Sequence, residues 1–252
     1  MTGLATVHGG AGLERVRLLP QGPPVTRVAR SDLDRRQAVQ HYRTGLELLG
    51  AEQFEKAERE FLMAIELDSL FTLARYGLGQ SYMAQRRYAS AIVAFNGCRD
   101  AYQEIANLRQ QDAFNADRLI IDEIQELRES ISRVRSGQIR NVGPATLQRL
   151  ESRLDDLERM RGTDVAHRSY VPAEVLLALG SAYFRNQQID DAEREWKAAT
   201  AVNPSLGEAH NNLAALYAMT GRKSEAEVAI RAAERAGYRV NPRLKTDVRN
   251  LP

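Results

Sequence analysis

The sequence of 252 residues holds a single cysteine, Cys98. That count excludes an internal disulfide and a thiolate metal cluster. Long apolar runs are missing too, with no stretch near the roughly 18 residues of a membrane-spanning helix. Neither sign of charge dominates: 35 basic and 33 acidic residues leave a net charge of +2. No global field therefore draws the chain to nucleic acid or to an anionic membrane. Lysine is scarce, occurring only at 56, 197, 223 and 245. The start of the chain has no apolar core of a secretory signal, because Val16 to Leu19 is broken by Arg17 and followed by Pro20. Cytoplasm is the default expectation, with periplasm or envelope if an export signal has been lost to a misplaced start. A Gly-rich phosphate loop, a His-Glu-x-x-His pair and a nucleophile elbow are all missing, which argues against an enzyme. No cofactor and no metal ion is expected.

What is present is a repeat. Leu176-x2-Leu179-Gly180-x2-Tyr183 is followed by Ala192-x3-Trp196-x2-Ala199 and then Pro204. Thirty-four residues after Gly180 stands Ala214, with Leu213, Tyr217, Ala226, Ile230 and Ala233 in the equivalent slots. The first half repeats the pattern: Gly45 with Leu48, Ala57, Phe61 and Ala64, then Gly79 with Tyr82, Ala91, Phe95 and Cys98. Each unit reads as two antiparallel helices. Small residues let the two backbones approach, and larger ones such as Tyr82, Phe95, Tyr183 and Trp196 fill the space between units. Ser205 with Glu208, Asp190 with Glu193 and Ser224 with Glu227 have the spacing of capping boxes. Gly221 is expected to break the fourth unit between its helices. Cys98 reads as a small core residue in an alanine slot. His41 and His210 share one repeat slot, which argues for packing.

These motifs resemble the tetratricopeptide-repeat family over about 36–98 and 172–250. The resemblance implies an all-α fold: a right-handed superhelix of four helix-turn-helix repeats, its concave face lined by the first helix of each unit. It also implies a non-catalytic scaffold or adaptor that holds a peptide or helix of a partner protein. The groove residues it assigns are Tyr42, Arg43, Leu46 and Leu49 in the first unit and Leu73, Tyr76, Gln80 and Met83 in the second. The third unit contributes Leu177, Ser181, Phe184 and Arg185, and the fourth Asn211 and Asn212. No lysine lies among them, which argues against the subclass that clamps acidic tails and favours an apolar or helical partner segment. Two alternatives remain beside the scaffold: a peptide-sensing regulator, and an envelope assembly factor if the export signal was lost.

The repeats are interrupted. Stepping 34 from Gly79 puts Asp112, Gln125 and Glu129 in the leucine, alanine and aromatic slots, so hidden repeats do not fit. A heptad-like period does. Ile120, Ile124, Leu127, Ile131 and Val134 form one seam, and Leu147, Leu150, Leu154 and Leu157 a second. Ser136-Gly137 and Asn141-Val142-Gly143-Pro144 break the chain between them. This predicts a long helical hairpin, about 110–136 against 145–161, projecting from the solenoid. Such an arm either closes on itself or makes a homodimer through 105–165. The expected domains are a disordered N-terminal arm over 1–33, repeats over 34–98, the insert over 99–168, repeats over 170–238, and a capping helix with tail over 239–252. Gly237 should close the last repeat helix, and Asn241-Pro242 should open the capping helix.

Overall fold

A computed structural model describes residues 32–111, 113–140, 142–161 and 171–252. The expected arm up to residue 31, and the end of the insert over 162–170, lie outside the described residues. Eleven helices and no strand occur among the described residues. Four pairs form the repeats: α1 (Asp32–Gly50) with α2 (Phe54–Leu67), α3 (Thr72–Ala84) with α4 (Tyr88–Gln111), α7 (Ala173–Arg185) with α8 (Ile189–Val202), and α9 (Gly207–Met219) with α10 (Lys223–Arg235). Between the pairs lie α5 (Ala113–Arg135) and α6 (Pro144–Arg161), and α11 (Pro242–Arg249) follows.

Aromatic side chains set the spacing within a unit. A Cβ at Gly79 would stand 2.5 Å from the Phe95 ring, and one at Gly180 would stand 2.6 Å from the Trp196 indole. Only a hydrogen at these positions lets the second helix lay its ring on the first helix's backbone. The Trp196 indole N–H also donates to the Leu177 carbonyl at 3.2 Å. Phe61 sits in the same way between the first helices of two successive units, against Gly45 and Gly77.

The turns between paired helices are alike. Glu52, Arg86 and Gln187 have φ of 59°, 58° and 64°, and Gly221 has 72°. All four occupy one repeat position and end the first helix in a left-handed cap. The expected capping boxes do not form. α8, α9 and α10 begin after Gln188, Leu206 and Arg222, none of which makes a side-chain cap. Glu193 instead accepts from Arg222 of the next unit at 2.6 Å and pairs with Lys197 of its own helix at 2.6 Å. Those cations hold its carboxyl down at about 2. The expected stops and starts are present at Gly237, whose φ is 77°, and at Asn241, whose side chain accepts from the Arg243 N–H at 2.9 Å.

The insert does not split the solenoid. α7 packs directly on α4, so the third unit stacks on the second as if the intervening residues were absent. Arg99 meets Glu195 at 3.2 Å across that joint, and Asn96 donates to the Tyr183 hydroxyl at 3.3 Å. Nor does the hairpin project, as its heptads suggested. Its helices pair through buried Ile120, Ile124, Leu127, Ile131, Leu150 and Leu157. Arg128–Glu158 and Arg135–Glu151 pairs at 2.7 Å fasten the outside. The hairpin's other face is turned inward to the repeats.

Candidate functional site

The concave surface is built by α1, α3, α7 and α9, and the insert covers part of it. Arg43 donates to Glu126 at 2.9 and 2.7 Å and to Glu129 at 2.7 Å, all on α5. Thr72 donates to Glu123 at 2.7 Å. The Glu123 carboxylate also takes the Tyr102 hydroxyl and the Arg153 guanidinium, the latter at 3.0 Å. Arg153 is 1% exposed and lies 5.0 Å over the Tyr76 ring. A charge buried so fully is tolerable because a carboxylate, a phenol and two aromatic faces compensate it. At the far end Asp156 of α6 accepts from the Ala173 N–H at 2.9 Å and from Asn203 at 3.2 Å, which ties the insert to the start of α7.

This placement corrects the expected groove. Tyr42 is 2% exposed, packs on Phe61 and Phe71, and lies beneath the insert beside Ser130 and Glu126. Arg43 is engaged by the chain's own α5. Leu46 and Leu73 are buried in the core. These four serve the protein's interior and its insert; a face left open by a projecting hairpin does not exist here. Phe184 stacks on Trp196 at 5.5 Å. Arg185 is exposed at the end of α7, and Asn211 and Asn212 are half-buried on α9. None of these last four lines the opening described next.

The remaining six do come together. Leu49, Tyr76, Gln80, Met83, Leu177 and Ser181 line an open cavity of about 530 Å³. Its walls are the α1–α2 corner, α3, α7 and the start of α6. Residues outside the expected set also line it, among them Glu52, Phe54, Phe95, Thr146, Arg149, Glu174, Ala178 and Glu208. Three are carboxylates and one is a guanidinium, around an apolar floor.

Glu174 is the unusual member. It is 4% exposed in the first turn of α7. Burial pushes its carboxyl up to about 7, against help from the Ser152 hydroxyl, with Glu208 and Asp156 pushing the same way and Arg149 opposing. A buried acid so weakly compensated, on the wall of a cavity, is a feature that functional sites share. A signal for it exists in the sequence. Glu174 and Glu208 stand 34 apart, in the repeat slot that Val39 and Leu73 fill in the first two units. Arg149 carries no such signal, because it belongs to the insert.

Cys98 fits its alanine slot. It is fully buried and its thiol donates to the Thr72 carbonyl at 3.3 Å, and burial raises it to about 11. His41 bonds Glu60 at 2.8 Å and His210 the Pro204 carbonyl at 3.0 Å, so each has a structural partner.

Residues 42–103 and 177–238 match the profile of the tetratricopeptide repeat family. The chain is a tetratricopeptide-repeat protein. Its two matched stretches are the two repeat groups, and the unmatched middle is the α5–α6 insert that the tetratricopeptide array carries on its concave side. Among curated proteins none matches the sequence. Tetratricopeptide arrays are protein-interaction modules in general and typically non-catalytic. No described helix is long and apolar enough to cross a membrane.

Proposed function

We propose that this tetratricopeptide-repeat protein is a non-catalytic scaffold or adaptor whose partner polypeptide enters the open half of the concave face. The observation that carries this reading is the cavity of about 530 Å³ between α3, α7 and the start of α6. It holds six of the residues that the repeat register turns inward. Leu49, Met83 and Leu177 offer an apolar floor, while Gln80 and Ser181 supply polar points that orient a backbone. The insert supports the reading as well, because it occupies the other half of the face and narrows what a partner can reach.

Ala178 tests it. It faces the cavity, so Ala178→Trp fills the opening. A full-length bait captures its partner from the native host, and the variant, with unchanged helical content by circular dichroism, loses that partner. Capture that survives in the variant places the binding surface elsewhere on the protein.

A further inference from the structure

We infer that the open groove takes a polypeptide segment presenting one cationic side chain, arginine or lysine, to Glu174 with apolar side chains on either side. This rests on the reading of that groove as the partner site and narrows the partner's chemistry.

Charge complementarity argues for it. Glu52, Glu174 and Glu208 line the cavity against Arg149 alone. The insert's other buried cation is committed elsewhere, since Arg153 pairs with Glu123 at 2.8 Å. Arg43 is likewise held by Glu126 and Glu129. An acidic segment entering the groove therefore meets carboxylates, whereas a basic one supplies the charge that the site lacks. The shape suits a long basic side chain. Its methylene stem lies on Leu177 and Met83, and its head reaches the Glu174 carboxylate, a charge-assisted bond in a part-dry site.

Burial supplies independent support. The Glu174 carboxyl is held up at about 7. The charged groups facing it are Arg149 and Asp156 on α6 and Glu208 on α9, and their balance is acidic. A bound cation reverses that balance and favours the ionised form. Binding near neutral pH then releases a proton, and affinity rises with pH through about 7.

The test uses the full chain and three acetylated, amidated peptides of alternating leucine and glutamine that differ only at the central residue: arginine, alanine or glutamate. Fluorescence anisotropy should order them arginine, alanine, glutamate, with arginine about ten-fold or more above alanine, as for a close charge pair. Glu174→Gln should close that gap. Glu208→Gln, at the cavity's rim, should narrow it less. Equal affinity for all three peptides overturns the cation and leaves the groove reading standing. No binding of any peptide overturns both. A gap that persists in Glu174→Gln moves the cation to another carboxylate and overturns the assignment. Light scattering separates the remaining occupant: a dimer of the free chain that the peptide dissociates would give the groove to a second copy and overturn the inference.

Discussion

Glu174→Gln should make the protein more stable above neutral pH, and the size of the effect follows from the site. The carboxyl rises from 4.5 to about 7 on folding, chiefly because burial removes its water. Below about pH 4.5 the group is protonated in both folded and unfolded chains and contributes no difference. Between about 4.5 and 7 the unfolded chain gives up this proton while the folded chain keeps it, so stability falls as pH rises. Above about 7 the loss is complete, at roughly 3 kcal/mol from about 1.4 kcal/mol per pH unit. Glutamine has nearly the same shape, can bond the Ser152 hydroxyl and does not ionise. The comparison is urea unfolding of both proteins by far-ultraviolet circular dichroism at about pH 5 and about pH 8. The variant should come within about 1 kcal/mol of the parent at the lower pH and exceed it by up to about 3 kcal/mol at the higher. Asp68 and Asp156 are also raised by burial, so each protein alone shows a mixed profile. Only the difference isolates Glu174. A difference that is flat with pH, or a variant less stable at pH 8, would refute the account of the groove's electrostatics. A residue that weakens the fold at a cavity wall is what a binding role predicts.

Other substitutions probe the frame. Trp196→Ala empties the space over Gly180 and removes the bond to Leu177, and should cost about 3–5 kcal/mol in urea unfolding. Glu123→Ala strands the Arg153 guanidinium in the interior and should cost a similar 3–5 kcal/mol. Hydrogen exchange should then show α5 and α6 losing protection before the repeats do. At the shared turn position, Gln187→Gly should stabilise by about 0.5–1 kcal/mol and Gly221→Ala destabilise by about 1 kcal/mol, because only glycine adopts this backbone without strain. Opposite signs at two equivalent positions, read by thermal unfolding, are the decisive outcome.

Much of the candidate groove was legible in the register. The period of 34 placed Leu49, Tyr76, Gln80, Met83, Leu177 and Ser181 on inward slots, and the structure brings those six to one cavity. Tyr42 and Arg43 obeyed the same register, yet they meet the insert. Periodicity reports which way a side chain faces, not what stands opposite. The capping pairs failed for a related reason. Glu193 has the right spacing to cap its own helix, but Arg222 of the next unit offers a stronger charge-assisted bond.

The repeats, their joints and the existence of the insert are written locally in the amino-acid order. Close packing needs small residues at fixed spacing, and a reversal of the chain needs glycine or a left-handed turn, so both leave local marks. Where the insert lies depends on contacts between residues far apart in the chain. Its heptads specify that α5 and α6 pair, but are silent on the outer faces. Those faces hold Glu123, Glu126, Arg153 and Asp156, which a helix reading assigns to solvent. Their partners are Thr72, Arg43, Tyr102 and Asn203, distant in sequence and adjacent only in the folded chain. Those bonds hold the insert inward over part of the concave face and leave open the part that Glu174 overlooks.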